Sequence, residues 1–373
     1  MSVDDNKESI NRQQVLADFR QQVADTVGTQ SENLGRSIKS AEHFLFEGGR
    51  YCCLINGPAG AETGFIKIAH AQEPKLVQNL GREVFVAQHA QELGISAINC
   101  LTPPTLIGNE YLLIQLQVLS PNDGVAYTGK EMHAAAPLEV AAQGTTAILS
   151  LNRKEIPREI DTSMLDRQHE RNASPEAFSA TWQNQNEIIF SPKNRETVAT
   201  LCQTAPDTND GVNNLRQTVE AARGFLDDLI VKGQDDSHEY LSHGDADLNN
   251  MFIKNNGEAI LIDWETAAAT HNWFLAQLTD LSNMFGRCWV DPEKQHQVLS
   301  TILKSDCFDD LQTRYQVAYS VAVYGSMYLA KYGMDPNHHE HQMSLSLLGN
   351  LKGTLDYLDS EYRSLNQPQS PDR

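Results

Sequence analysis

The sequence predicts an α+β fold with two lobes: a small antiparallel β lobe that carries one helix, followed by a larger, mainly helical lobe. Three observations support this fold class. Short apolar runs separated by glycine turns fill 40–119, a strong turn lies at 120–124, and helical periodicity dominates the rest of the chain.

The small lobe is predicted to contain five strands and one helix in the order βββ-α-ββ. Aromatic and β-branched residues are typical of strands, and glycine clusters are typical of the turns between them. The helix has apolar residues three or four positions apart and ends near Gly94, a residue that favours a C-terminal cap. The expected strands are 41–46, 51–56, 64–69, 100–106 and 110–119, and the expected helix is 75–93.

The large lobe is predicted to consist of helices interrupted by two short strands, 251–254 and 259–262. Asn255-Asn256-Gly257 joins these strands, and Asn-Gly between apolar runs favours a tight hairpin. The expected helices lie near 137–150, 175–188, 212–232, 274–286, 311–331 and 342–363. We therefore divide the chain into an N-terminal helical extension (1–39, with a helix over 9–27), a small nucleotide-binding lobe (40–119), a large catalytic and acceptor-binding lobe (120–365) and a disordered tail (366–373).

Composition excludes several classes of function. The 373-residue chain has 29 Lys and Arg against 49 Asp and Glu, a net charge of −20. Such an acidic chain repels phosphate backbones, so we expect no nucleic-acid partner. No apolar run approaches the roughly 18–20 residues of a membrane helix, and no signal peptide is visible, so we expect no membrane partner and a cytoplasmic location. The six cysteines contain no CxxC pair and are expected to be reduced thiols, while the oligomeric state stays open.

One stretch of the large lobe, from His243 to Asp263, carries the residues of phosphoryl transfer. Asp245 precedes Asn250 by five positions, and the predicted hairpin brings Asn250 and Asp263 to one end. Mg²⁺ on nucleotide phosphates requires hard oxygen ligands, which Asn250 and Asp263 supply. A carboxylate must orient the incoming hydroxyl and accept its proton, which suits Asp245 as the catalytic base.

The small lobe is expected to bind the nucleotide. Lys67 lies on the third strand opposite Ile66 and Ile68, where it can reach the phosphates, and Glu83 on the following helix is placed to hold it. The glycine turn with Gly48 and Gly49 would cover the phosphates with backbone N–H groups. Backbone groups near Gln115–Val118, with Gln115 and Gln117 as the named candidates, are expected to meet the nucleobase.

The motifs HGD-x4-N and IDWE together resemble the aminoglycoside phosphotransferase and choline kinase superfamily, the small-molecule relatives of protein kinases. The resemblance covers roughly 41–282 and also includes the strand lysine and the helical glutamate. It implies a bilobal protein-kinase-like fold, an ATP or GTP donor with Mg²⁺, and a small-molecule hydroxyl acceptor that is aminoglycoside-, choline- or sugar-like. It also implies that Asp245 is the base, that Asn250 and Asp263 bind Mg²⁺, and that Lys67 contacts the phosphates.

The chain departs from the family pattern inside the catalytic loop. The family usually has Leu-His-Pro-Gly where this chain has Ala246-Asp247-Leu248-Asn249. The additional acid, Asp247, is expected either to repel phosphate or to favour a cation. Asp280, further along, is expected to brace the loop.

Three alternatives are weighed against this interpretation. A nucleotide-binding pseudokinase that acts as a regulatory module stays open because the loop is altered. A protein kinase is disfavoured, since no long activation segment with a closing Ala-Pro-Glu follows Asp263. Residues 124–131 match GxxxxGK, but Glu131 stands where a P-loop needs Ser or Thr, and no parallel βαβ pattern surrounds it.

Overall fold

The structure, a computed structural model, describes residues 17–29, 32–39, 44–47, 50–55, 64–107, 111–117, 119, 122–127, 129–165, 174–202, 210–289, 291–335 and 341–367. They divide into two compact units. The small unit contains the described residues up to Asp123 together with Asp263–Glu265, and the large unit contains those from Gly124 to Ile262 and from Thr266 onward. The division falls inside the turn at 120–124.

The small unit is a five-stranded antiparallel sheet with helices on both faces. The strand order is β1-β2-β3-β5-β4, which matches the predicted succession βββ-α-ββ. Its elements are α1 (17–28), α2 (Glu32–Lys39), β1 (Phe44–Glu47), β2 (Arg50–Ile55), β3 (Gly64–His70), α3 (Pro74–His89), β4 (Cys100–Ile107) and β5 (Tyr111–Gln117).

The two faces of this sheet are covered by different helices. Ile66 and Ile68 pack with Val23 and Val27 of α1 and with Ile38 of α2. The opposite face packs against α3, through a cluster formed by Ala69, Leu80, Val84, Ile114 and Leu116. Because side chains alternate along a strand, Lys67 of β3 lies on the α3 face. The N-terminal helix is therefore part of the small unit's core, while 9–16, also predicted as helix, lies outside the described residues.

The large unit is mainly helical, with short strands among the helices. One sheet pairs β7 with β10, and another has the order β6-β8-β9, all antiparallel. The elements are β6 (Gly124–Ala126), α4 (Gly129–Ala135), α5 (Leu138–Leu151), α6 (Pro175–Ile189), α7 (Arg195–Leu201), α8 (Asp210–Gly233), β7 (Tyr240–Ser242), β8 (Met251–Lys254), β9 (Ala259–Leu261), β10 (Ala268–Thr270), α9 (Trp273–Arg287), α10 (Pro292–Lys304), α11 (Leu311–Gly333) and α12 (His341–Asn366).

The predicted α+β class, with a small antiparallel β part and a larger helical part, is confirmed. The hairpin β8–β9 forms as expected: Gly257 has a φ of 86° and donates its N–H to the Lys254 carbonyl at 2.9 Å. Gly124–Ala126 is a strand antiparallel to β8, so the GxxxxGK match lies in no parallel βαβ unit. Residues 368–373, most of the predicted disordered tail, lie outside the described residues.

No helix in the described part of the chain combines the length and the apolar character needed to cross a membrane.

Candidate active site

Lys67 is the centre of a buried charge cluster in the small unit. The side chain is almost fully buried, at 4% exposure. Its Nζ donates to Glu83 Oε2 at 2.6 Å, to Asp263 Oδ1 at 2.8 Å and to Glu265 Oε1 at 2.9 Å. The predicted pair Lys67–Glu83 therefore forms, and Asp263 joins it. Glu265, which the sequence did not single out, is a third carboxylate on the same ammonium group.

Helix α3 contributes a second cation to this cluster. Arg82 is buried beside Glu83, and its Nη1 donates to the backbone carbonyl of Glu265 at 3.0 Å. The cluster therefore contains two positive and three negative side chains, of which all but Asp263 are buried. Buried charges are tolerated where they are paired and hydrogen-bonded, as they are here.

The three carboxylates are gathered around the Lys67 ammonium group. Oxygen atoms of Glu83, Asp263 and Glu265 lie within 4.8 Å of one another. Hard oxygen donors are the ligands that Mg²⁺ prefers. The side chain of Asp263 is 35% exposed, unlike those of its two partners, so a bound ligand has access to this carboxylate. Asp263 therefore offers the accessible oxygen ligand that the implied Mg²⁺ requires.

Asp263 has an unusual backbone conformation. Its φ is 62°, and among the described residues it is the one with positive φ that is not glycine. The left-handed region costs an ordinary residue free energy and persists where the surroundings enforce it, often at functional sites. The conformation turns the chain sharply after β9 and directs the Asp263 carboxylate to Lys67.

In the large unit, the loop that follows β7 is held by one face of α9. Asp280, Asn283 and Arg287 are three and four positions apart, so they lie on the same face of this helix. Asp280 is fully buried, and it accepts hydrogen bonds from the backbone N–H groups of His243 at 2.9 Å and Gly244 at 2.8 Å. The expected bracing role of Asp280 is thus confirmed.

Two further contacts complete this bracing. Asn152 Nδ2 and Ser242 Oγ donate to Asp280 Oδ2 at 3.0 and 3.2 Å. Asn283 Nδ2 donates to the Gly244 carbonyl at 3.0 Å. Helix α9 thereby fixes the backbone immediately before Asp245.

Gly244 is required by the shape of the loop. Its φ is 81°, and a Cβ at this position would lie 2.3 Å from the Thr266 carbonyl oxygen. His243 Nε2 lies 2.9 Å from the Ile262 carbonyl oxygen, an acceptor, so this nitrogen carries the proton. His243 therefore ties the loop to the end of the hairpin.

Asp245 and Asn250 are brought together in the large unit. Asn250 Nδ2 donates to the Asp245 carbonyl at 2.8 Å and to Asp245 Oδ2 at 3.2 Å. This geometry turns the Asn250 amide nitrogen toward Asp245 and leaves the amide oxygen, the ligand type that Mg²⁺ takes, on the other side. The backbone of Asn250 pairs with Ile262, the residue before Asp263, at 2.9 Å.

The structure corrects the expectation for Asp247. This side chain is buried, at 1% exposure, and its Oδ2 accepts from Arg287 Nε at 2.8 Å. Its Oδ1 accepts from the backbone N–H groups of Asn249 and Asn250. Asp247 therefore neither repels phosphate nor offers itself to a cation; its charge is compensated by Arg287 inside the protein.

The nucleobase contacts expected at Gln115 and Gln117 stay a prediction. Both residues lie on β5, an interior strand whose backbone pairs with β3 on one side and β4 on the other. The Gln117 N–H, for example, donates to the Asn99 carbonyl at 2.9 Å. The backbone N–H of Gln117 is therefore engaged within the sheet. Gly48 and Gly49 lie outside the described residues.

Comparison with solved structures identifies the fold. An aminoglycoside phosphotransferase from Alicyclobacillus acidocaldarius superposes with a TM-score of 0.54 at 12% sequence identity, covering 88% of this chain and 92% of that one. This chain has the aminoglycoside phosphotransferase fold. The predicted kinase-like fold is thereby confirmed.

Two other phosphotransferases are similar to this chain. A Plasmodium vivax ethanolamine kinase matches at 12% identity and a TM-score of 0.45, covering 87% of this chain and 82% of that one. A spectinomycin phosphotransferase, solved with ADP and spectinomycin, matches at 13% identity and a TM-score of 0.46, covering 85% and 92%. No protein-family model matches the chain. No curated protein matches it either.

Proposed function

We propose that this protein transfers the γ-phosphate of ATP or GTP to a hydroxyl group of a small molecule. The observation that carries the proposal is Lys67, a buried ammonium group held by Glu83 at 2.6 Å in a chain with the aminoglycoside phosphotransferase fold. Burying a lysine and its carboxylate partners carries a desolvation cost, so a cluster of this kind is weak evidence for stability alone and is consistent with a functional role. Contact with nucleotide phosphates is such a role.

Each unit contributes distinct chemistry in this proposal. Lys67 contacts the donor phosphates and neutralises charge that builds up on them. Asn250 and Asp263 would hold Mg²⁺, which would neutralise charge on the nucleotide phosphates. Asp245 orients the acceptor hydroxyl and takes its proton as the new oxygen–phosphorus bond forms and the bond to the departing nucleoside diphosphate breaks.

No covalent enzyme intermediate is needed in this reaction. The hydrogen bonds from α9 to the loop fix the position of Asp245 before the acceptor arrives, so catalysis consists mainly of positioning and electrostatic stabilisation. The acceptor is proposed to be aminoglycoside-, choline- or sugar-like. The net charge of −20 is compatible with a cationic acceptor but also serves general solubility.

A coupled nucleotide-consumption assay tests the proposal. ATP and GTP with Mg²⁺ are offered against aminoglycosides, choline, ethanolamine, sugars and homoserine, and Asp245→Asn serves as the blank. We expect acceptor-dependent consumption in the wild type, at least about 100-fold reduced in the variant, which keeps its nucleotide affinity. Full activity in Asp245→Asn would remove the role given to that residue. Nucleotide binding without turnover on any acceptor would instead favour the pseudokinase alternative.

A further inference from the structure

The turn between Asp245 and Asn250 is closed by a side chain rather than by backbone alone. Leu248–Asn250 forms a single 3-10 turn, and Asp247 occupies its N-cap position with extended backbone. Asp247 Oδ1 accepts from the Asn249 N–H at 2.7 Å and from the Asn250 N–H at 3.3 Å. An aspartate at this position satisfies donors that the start of a helical turn leaves unpaired.

The second oxygen of Asp247 is held by helix α9. Arg287 Nε donates to Asp247 Oδ2 at 2.8 Å, and the Arg287 side chain is about one third exposed. The guanidinium compensates the buried carboxylate and also fixes its rotation, so that Oδ1 keeps pointing at the two N–H groups. A lysine would compensate the charge without this directional bond.

These contacts form a continuous path to Asp245. Arg287 holds Asp247, Asp247 holds the backbone of Asn250, and the Asn250 side chain donates to Asp245. Each step is a hydrogen bond between described residues of the large unit. The orientation of the Asn250 amide therefore depends on two residues that are not in contact with any reacting group.

We propose that Asp247 and Arg287 are positioning residues that set the affinity of the site for its divalent cation through Asn250. The proposal rests on the proposed function, since it takes Asn250 as a ligand of the ion. Asp247 itself is not a ligand in this account. Both of its oxygens are occupied by protein donors, and it is buried.

The proposal separates the charge of Asp247 from its capping oxygen. Asparagine caps helical turns as well as aspartate does, whereas alanine does not. Asp247→Asn should therefore keep the capping bond to the Asn250 N–H while losing the bond from Arg287, and Asp247→Ala should lose both. A metal ligand would behave differently, because loss of the charge alone would weaken cation binding.

The test measures Mn²⁺ binding by electron paramagnetic resonance in the presence of a non-hydrolysable ATP analogue. It compares wild type, Asp247→Ala, Asp247→Asn and Arg287→Met. The control is Asp161→Ala, because Asp161 caps another 3-10 turn through the Ser163 N–H at 3.0 Å. Binding of a fluorescent ATP analogue in EDTA is measured in parallel, and thermal melting checks that each variant is folded.

We expect Asp247→Ala to bind Mn²⁺ about tenfold more weakly, the loss that a missing cap typically causes. Arg287→Met should weaken binding in the same direction but by less. Asp247→Asn keeps a capping oxygen but turns its NH₂ group toward Arg287, so it should match Arg287→Met and lose less than Asp247→Ala. Asp161→Ala should stay within about threefold of wild type. Metal-free nucleotide affinity should be unchanged in all of them.

Unchanged Mn²⁺ affinity in folded Asp247→Ala would overturn the proposal, and so would a loss in Asp247→Asn as large as that in Asp247→Ala. Failure of the wild type itself to bind Mn²⁺ with the nucleotide analogue would overturn the proposed function, and with it the role of Asn250. The two failures are thus distinguishable.

Discussion

The substitution Asp280→Asn tests how the loop before Asp245 is held. The Asp280 carboxylate is fully buried and accepts four hydrogen bonds, two of them from the backbone N–H groups of His243 and Gly244. Asparagine has the same size but replaces one accepting oxygen with an NH₂ group. The NH₂ group would then face the Gly244 N–H, which is itself a donor. The other three hydrogen bonds would be weaker, because their acceptor would no longer be charged.

The expected cost follows from these contacts. A hydrogen bond to a charged acceptor contributes about 1.5–3 kcal/mol, and an unsatisfied buried donor costs about 1–3 kcal/mol. Losing one such bond at Gly244, even with partial relaxation, predicts about 3 kcal/mol less free energy of unfolding in Asp280→Asn. Asp280→Ala should lose more, because both backbone donors are then left without this partner.

Urea unfolding monitored by tryptophan fluorescence measures this cost. The matched control is Asp310→Asn, since Asp310 accepts from the Thr313 N–H at 2.7 Å in an exposed position and asparagine replaces it well there, within about 0.5 kcal/mol. Hydrogen exchange of a peptide over 240–247 should become faster in Asp280→Asn alone. Equal stability of the two variants would refute the bracing assigned to Asp280.

Three further outcomes are expected. Gly244→Ala should lower the free energy of unfolding by at least about 2 kcal/mol in the same urea experiment, because Gly244 has a φ of 81° and the new Cβ would meet the Thr266 carbonyl oxygen. An unchanged free energy of unfolding would argue against this loop geometry. The hydrogen bond from His238 lowers the pKa of Asp235 to about 2, so the ionised carboxylate stabilises the folded state above the ordinary pKa of 3.8, and this stabilisation is lost as the pH falls through 2. The difference in free energy of unfolding between wild type and Asp235→Asn should therefore shrink between pH 4 and 2, and a constant difference would contradict this. Burial raises the pKa of Cys288 to about 12, so this thiol should resist iodoacetamide at pH 8 in the native protein and react after unfolding, as peptide mass spectrometry would show.

Local chemistry made several features predictable from the sequence. Asn255-Asn256-Gly257 specifies its turn through backbone preferences of its own residues, and the hairpin forms. The pair Lys67–Glu83 was predictable because a strand lysine followed by a helical acid is a short-range pattern that the family motifs reinforce. Gly94 has the left-handed φ expected of a cap, although α3 ends earlier, at His89.

Contacts between distant parts of the chain were not predictable. Glu265 reaches Lys67 across 198 positions, and Arg82 reaches the Glu265 backbone across 183. Nothing in the sequence around Glu265 or Arg82 indicates these partners, because the contacts exist only once the chain has folded and segment 263–265 lies against β3 and α3. The ion pair between Asp247 and Arg287, 40 positions apart, was not predictable for the same reason. It shows that the Asp247 charge is compensated inside the protein, whereas the sequence suggested an effect on phosphate or on a cation.

Helix α10 was missed although its sequence contains the signals. Asp291 caps it by accepting from the Glu293 N–H, and Pro292 occupies the first turn. A search for caps in addition to apolar periodicity would have found it. The strand order that makes β5 an interior strand was also not predictable, because it is a property of the whole sheet.

Phosphorus NMR of a complete reaction mixture shows directly whether the γ-phosphate is transferred to a small-molecule hydroxyl. ATP or GTP, Mg²⁺ and the acceptor panel are incubated with wild type and with Asp245→Asn. We expect a new phosphomonoester resonance that grows as the γ-phosphate resonance of the nucleotide declines, and that is absent with the variant. Bound nucleotide that stays intact with every acceptor, or that yields inorganic phosphate alone, would contradict transfer to a small-molecule hydroxyl.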